Sequence, residues 1–91
     1  MATATKTKTY VFYMDPGHGW LAVKRTELDR LGIADKITSC SYQRGGTVYL
    51  EEDRDMETFI AAKRNAGDMF SFDNRHTDKN HQIRGYDPYA N

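Results

Sequence analysis

The sequence predicts an α+β fold in which a small, mainly antiparallel sheet of four to five strands carries two helices on one face, in the order ββαββαβ. Three observations lead to this prediction. The chain has 91 residues, of which 38% are hydrophobic and 12% aromatic, so it can build one core. Short runs of β-branched and aromatic residues end at turns that contain Gly or Pro, as strands do. Two segments with helical spacing of apolar residues each end at a glycine.

The first half of the chain is predicted to form two strands and a helix. Residues 10–14 and 20–23 are the strands, and the glycine-rich segment Asp-Pro-Gly-His-Gly-Trp at residues 15–20 joins them. Thr26 is suited to cap a two-turn helix over residues 27–31. Gly32 is expected to end that helix in the left-handed conformation.

The second half begins with a predicted hairpin, whose strands at residues 36–42 and 47–50 flank a turn with two glycines. A second helix then opens in the acidic run at residues 51–57, where Asp53 or Asp55 is expected to act as the N-cap. Its core-facing residues are expected to be Met56, Phe59 and Ile60, and Gly67 is expected to end it.

Residues 69–72 form the last predicted strand. The expected organisation is a flexible N-terminus at residues 1–8, a single α+β domain at residues 9–72 and a polar, partly ordered tail at residues 73–91. The sheet face opposite the helices is expected to stay solvated or to meet a partner.

Charge and composition exclude several classes of protein. Thirteen Lys and Arg balance thirteen Asp and Glu, so no net field attracts nucleic acid or an anionic membrane. No apolar run approaches the roughly 18 residues of a membrane span, and the first residues lack the apolar segment of a signal peptide. The single cysteine, Cys40, has no partner for an internal disulfide. We therefore expect a cytoplasmic protein that does not bind membranes.

The segment at residues 15–20 has two interpretations. It could bind a small ligand or a nucleotide, with Trp20 offering a stacking face and with His18, Trp20 and Arg44 lining a pocket between subunits. It could instead be a tight strand connection whose Trp20 packs in the core, which is the interpretation that turn chemistry favours. It lacks the Gly-x-x-x-x-Gly-Lys pattern of phosphate-binding loops.

Metal binding and catalysis find little support in the spacing of reactive residues. His18, His76 and His81 could be joined by Asp73, Asp78 or Cys40, but the chain has neither a His-x-x-x-His nor a Cys-x-x-Cys pair. We expect Cys40 to be a small buried hydrophobe on its strand rather than a nucleophile paired with a histidine. The prediction is a protein without a metal or another cofactor and without enzymatic activity.

Two charged segments are candidates for binding a partner. The acidic run carries more carboxylates than helix capping requires. The basic stretch at residues 75–86 ends with Tyr86 and is followed by Tyr89, and nucleic-acid-binding segments also combine basic and aromatic residues. The predicted partner-binding residues are Glu51, Glu52, Asp53, Asp55, Glu57, Tyr86 and Tyr89. Both segments also have a plain interpretation as solvated surface. Their opposite charges make contact between two copies of the chain conceivable, and contact of the tail with RNA or DNA is a weaker alternative.

Several motifs resemble a group of small phage and prophage proteins. The resemblance covers roughly residues 10–60 and is carried by the segments FYMDPGHGWLAV, LGIADKI, SYQRG and YLEED. It implies no activity and no catalytic residues. It does imply a context, because small phage proteins often bind host proteins, including components of restriction, CRISPR or nucleotide-signalling defence.

Together these observations lead us to expect a non-enzymatic binding protein that inhibits a host or defence factor. A small-ligand or nucleotide-binding protein is the alternative, and a nucleic-acid-binding module is the third possibility.

Overall fold

The computed structural model describes residues 7–91 and shows a mixed sheet with two helices. Most of the predicted flexible N-terminus, residues 1–8, lies outside the described part of the chain. The strands are β1 (Lys8–Met14), β2 (Gly19–Lys24), β3 (Tyr42–Arg44), β4 (Thr47–Glu51), β5 (Phe70–His76) and β6 (Asp87–Pro88). The helices are α1 (Arg25–Arg30) and α2 (Asp55–Asn65), with short 3-10 helices at Ala34–Lys36 and Gln82–Gly85.

The α+β class is confirmed, but the sheet differs from the predicted one. It has six strands in the order β5-β1-β2-β4-β3-β6 instead of four to five. The pairs β1–β2, β2–β4, β3–β4 and β3–β6 are antiparallel, whereas β1–β5 is parallel. Between β4 and β5, α2 carries the chain back along the sheet, so β5 runs in the same direction as β4. Since β1 and β4 are both antiparallel to β2, β5 is also parallel to β1.

The main core lies between the helices and one face of the sheet. Leu28 of α1 and Phe59 of α2 belong to the same buried cluster as Leu21 and Leu50 of the sheet. The ring of Tyr10 meets that of Phe59 edge to face, with 5.2 Å between the ring centroids. Burial of these large side chains is the main source of stability for a domain of this size.

Charged groups are buried at the edge of this core. Glu27 accepts hydrogen bonds from Tyr10 at 2.7 Å, from Arg30 at 2.6 and 3.0 Å, and from Lys8 at 3.2 Å. Lys63, whose side chain is only 3% exposed, lies 3.8 Å from Glu27 and 3.1 Å from Asp68. Burial alone would raise the pKa of Glu27, but the hydrogen bonds from Tyr10, Arg30 and Lys8 outweigh it and lower the pKa to about 2.

The second face of the sheet carries a smaller buried layer. The side chain of Trp20 points to this face, where Ile83 is 1% exposed and Trp20 is 2% exposed. The rings of Tyr13 and Trp20 contact His81, and the ring of Tyr49 contacts that of Tyr86. We call residues 81–86 the C-terminal strap, because they cross this face before β6 joins the sheet.

The segment predicted as a partly ordered tail therefore contributes three elements. The last predicted strand extends to His76 at its C-terminal end, so residues 73–76 are part of the sheet. The strap and β6 follow, and Tyr89 then returns to the main core, where its hydroxyl donates to the Ala34 carbonyl at 2.5 Å.

The predicted hairpin is correct in its turn and wrong in its first strand. Residues 37–41 form a loop, and β3 begins only at Tyr42. The cause is Asp55, which accepts hydrogen bonds from the Thr38 and Ser41 hydroxyls at 2.8 and 2.6 Å and holds the loop against the start of α2. Cys40, on the same loop, is exposed, so the expectation of a buried cysteine was wrong.

The helix ends follow the prediction better than the helix starts. Gly32 and Gly67 have φ values of +72° and +75°, which confirms both as left-handed terminators. Thr26 lies inside α1, whose N-cap is Lys24, and the N-cap of α2 is Arg54 rather than Asp53 or Asp55. The predicted side-chain caps were wrong because each helix begins at a different residue from the one expected.

Candidate functional site

The fold brings the glycine-rich segment at residues 15–20 close to the acidic run at residues 51–57. The Glu52 N–H donates to the Gly19 carbonyl at 3.0 Å, and Glu51 pairs with Trp20 in the register of β2 and β4. The turn at residues 15–19 therefore lies against the acidic turn that follows β4. We call this joint surface the corner site.

Asp15 fixes the shape of the corner site. Its side chain is fully buried and accepts from the backbone N–H groups of Gly17 and His18 at 3.0 Å each, as aspartate does in tight turns. Its carboxylate also receives Arg84 Nε at 2.6 Å and Arg84 Nη2 at 2.9 Å, and the His81 N–H at 3.0 Å. The Arg84 guanidinium holds the pKa of Asp15 far below its usual range, and the backbone donors add to this effect.

Arg84 is a site residue that sequence reasoning did not single out. It lies 69 positions from Asp15 along the chain, and no local pattern connects the two. Its guanidinium also stacks over the Trp20 ring, 5.5 Å from the centroid. The bidentate ion pair between Arg84 and Asp15 therefore joins the strap to the corner site.

Gly19 allows the two turns to approach closely. A Cβ at this position would lie 2.5 Å from Phe12 Cζ and 3.0 Å from Glu52 Oε2. A larger residue would force the Phe12 ring and the Glu52 carboxylate to move, so close packing favours glycine here; its φ angle does not, since the residues with positive φ are other glycines.

A small cavity opens between the two turns. Its volume is about 70 Å³, and it is lined by His18, Trp20, Cys40, Tyr42, Glu51 and Arg84. Drug-sized ligands and cofactors occupy pockets of roughly 300–1,000 Å³, so this cavity admits water or a group of a few atoms. Burial raises the pKa of the Glu51 carboxyl, the acid that faces the cavity.

The acidic residues divide into an exposed set and one buried member. Asp53 and Glu57 are exposed, and Glu51 and Glu52 are half-buried. Asp55 is 1% exposed and accepts hydrogen bonds from the Thr38 and Ser41 hydroxyls, so it is not part of the exposed surface.

The aromatic and basic candidates lie elsewhere. Tyr89 is buried in the main core, and Tyr86 packs half-buried against Tyr49. Arg44 stacks on the Tyr86 ring at 5.0 Å and lines a separate hollow of about 200 Å³. Within one copy of the chain, His18, Trp20 and Arg44 do not line one pocket. His18 is exposed, Trp20 is buried beneath the strap, and Arg44 of β3 lies beside Tyr86 at the C-terminal end of the strap.

The three histidines do not converge. His18 lies beside Trp20, His76 faces Asp78 at 3.6 Å, and His81 Nδ1 accepts the Ile83 N–H at 3.1 Å. Within residues 7–91, no group of three or more His, Cys, Asp and Glu side chains is arranged to hold a metal ion.

No family model, curated protein or solved structure matches this chain. In the part of the chain that the structure describes, no helix is long and apolar enough to cross a membrane.

Proposed function

We propose that this chain is a non-enzymatic protein-binding protein, and that it docks on a basic partner surface through the acidic part of the corner site. The surface consists of Glu51, Glu52 and Asp53 of the corner site, and we extend it to Glu57, which follows in the first turn of α2. His18 lines the small cavity beside Glu51.

The observation that carries the proposal is the absence of ion pairs in this part of the molecule. Among residues 7–91, Glu51, Glu52, Asp53 and Glu57 lie in no salt bridge within 4.0 Å. Six other acids each face a basic side chain of the same molecule: Asp15, Glu27, Asp29, Asp68, Asp73 and Asp78. Among the same described residues, Asp35, Asp55 and Asp87 also lie in no salt bridge, so what distinguishes this segment is that four such carboxylates fall within residues 51–57. The charge of a carboxylate without an internal partner is not neutralised within the molecule, so it can attract a basic partner. This attraction accelerates association and favours one orientation of docking.

Rigidity supports the same conclusion. The acidic turn is held against the corner by the Glu52–Gly19 backbone hydrogen bond, and the corner is held by Asp15. A surface that is ordered before it binds loses less conformational entropy on association, so more of the contact energy contributes to affinity.

The class of the partner is proposed from the resemblance to small phage proteins. On that basis the partner is a bacterial host factor, such as a component of restriction, CRISPR or nucleotide-signalling defence, and the chain inhibits it in the cytoplasm. A partner that normally binds nucleic acid suits an acidic surface, because carboxylates can occupy the positions of phosphates.

The structure gives less support to the other two functions. A nucleotide is several times larger than the 70 Å³ cavity beside His18, and Arg44 lies at another hollow. A nucleic-acid-binding module would need a basic surface, whereas the chain has no net charge and its corner site is acidic.

The proposal predicts that capture of a partner depends on the exposed acids. We expect immobilised wild-type protein to retain a specific protein from a bacterial lysate, and the Asp53→Lys/Glu57→Lys variant to lose it, because both changes place positive charge against a basic surface. Quantitative mass spectrometry of the retained proteins measures this. Both positions are exposed, so the fold should survive, and circular dichroism checks that it does.

The matched control is Asp29→Lys/Asp35→Lys. It changes the net charge by the same amount at two exposed acids outside the corner site. Loss of the partner in the control as well would show a general charge effect, and equal retention by all three proteins would refute the proposed surface.

A further inference from the structure

The sheet has one long edge that is open among the described residues. β6, with two residues, closes the side of β3, whereas β5, with seven residues, pairs only with β1. Exposed strand edges are templates for pairing with another chain, and proteins usually shorten or cover them. A long open edge is therefore a candidate interface.

The hydrogen-bond pattern shows which residues of β5 face outward. The Lys8 N–H donates to the Met69 carbonyl and the Thr77 N–H donates to the Met14 carbonyl, at the two ends of the parallel ladder. In such a ladder alternate residues point their N–H and C=O groups toward the same neighbour. The odd residues of β5 therefore bond β1, and the groups of Phe70, Phe72, Asn74 and His76 point away from the sheet.

The side chains of the odd residues point to the second face of the sheet and carry opposite charges. Asp73 and Arg75 are 47% and 59% exposed and contact each other at 3.0 Å. Ser71, next on this face, contacts Thr9 at 2.9 Å. A second strand laid against this edge would thus meet a negative and a positive side chain two residues apart.

We propose that two copies of this chain pair through β5 as antiparallel strands, centred on Asn74, to form one continuous sheet. In this register Asn74 faces its equivalent, Phe72 faces His76 of the other copy, and about six backbone hydrogen bonds join the strands. Asp73 of each copy then lies directly opposite Arg75 of the other, which gives two cross-strand ion pairs related by the two-fold axis.

Charge selects this register over its neighbours. Shifting the centre to Asp73 places the two Asp73 carboxylates opposite each other, and shifting it to Arg75 does the same for the guanidinium groups. Like charges directly opposite on adjacent strands are destabilising, whereas opposite charges stabilise. The edge is therefore complementary to itself in one arrangement, which favours a second copy over an unrelated strand.

Charge reversal at the two positions tests the pairing. We expect wild-type protein to form a dimer in sedimentation-velocity experiments. Asp73→Arg and Arg75→Asp, each alone, are expected to weaken dimerisation by about tenfold or more, because each places like charges opposite one another. The double variant Asp73→Arg/Arg75→Asp restores opposite charges in both pairs and is expected to dimerise like the wild type.

Mixing the two single variants makes the test specific. One variant is positive at both positions and the other negative, so the mixture is expected to form heterodimers although each protein alone dimerises poorly. Wild-type protein that remains monomeric up to about 1 mM, near the weak limit of specific association, would overturn the proposal. A dimer that neither reversal weakens would overturn it as well, since it would use another surface.

Discussion

The Asp15→Ala variant is expected to release the C-terminal strap and to lower the thermal midpoint of unfolding by roughly 10 °C or more. The carboxylate accepts hydrogen bonds from three backbone N–H groups and from Nε and Nη2 of Arg84. The substitution removes the acceptor of all five hydrogen bonds at once. The Arg84 side chain is about one-third exposed and can turn to water, so the expected loss comes mainly from the backbone donors that are left without an acceptor and from the freed strap.

Trp20 reports directly on this event. It is the only tryptophan in the chain, and it lies beneath His81 and Arg84 of the strap. We expect its fluorescence emission to shift to longer wavelength in Asp15→Ala at temperatures where the variant is still folded. Asp29→Ala, which removes an exposed ion pair with Arg25, is the control and should leave both the emission and the midpoint nearly unchanged. An unchanged emission in Asp15→Ala would show that the strap is held by other contacts.

The second large effect is expected at Glu27 and depends on pH. The pKa of Glu27 is 4.5 in the absence of these contacts and about 2 in the folded protein. A depressed pKa stabilises the fold above pH 4.5, and this stabilisation is lost as the pH falls toward 2. We estimate about 2 kcal/mol for it, less than the full shift implies, because Lys8 and Arg30 are half exposed and water screens them.

The Glu27→Gln variant isolates this contribution. The difference in free energy of unfolding between wild type and variant is expected to be about 2 kcal/mol at pH 7 and to shrink to a few tenths of a kcal/mol at pH 2, where the wild-type carboxyl is itself half protonated. Urea unfolding at a series of pH values measures it. A difference that stayed constant with pH would mean that Glu27 contributes through packing and not through its charge.

The features that the sequence predicted correctly are those that depend on local interactions. The α+β class, the two glycine terminators and the turn at Gly45 depend on residues close together in the chain, and these features can be read from the sequence. The errors lie where a distant side chain decides the local structure. Thr38 and Ser41 donate hydrogen bonds to Asp55 at the start of α2, and these bonds hold residues 37–41 as a loop although their sequence pattern is typical of a strand.

The candidate site was predictable only as two separate segments. The acidic run and the glycine-rich turn were each conspicuous, but their contact depends on the pairing of β2 with β4. Asp55 and Tyr89 looked equivalent to their exposed neighbours because burial depends on the tertiary fold. The role of Arg84 required knowledge of a partner 69 residues away.

The exposed acids of the corner site are proposed to bind a basic protein surface. Isothermal titration of the purified captured protein tests it most directly, with wild type, Asp53→Lys/Glu57→Lys and Asp29→Lys/Asp35→Lys compared at two salt concentrations. We predict that the corner variant binds at least about tenfold more weakly and loses much of the salt dependence, while the control stays within about twofold of the wild type. Equal affinities for the corner variant and the wild type would show that Asp53 and Glu57 do not contact the partner.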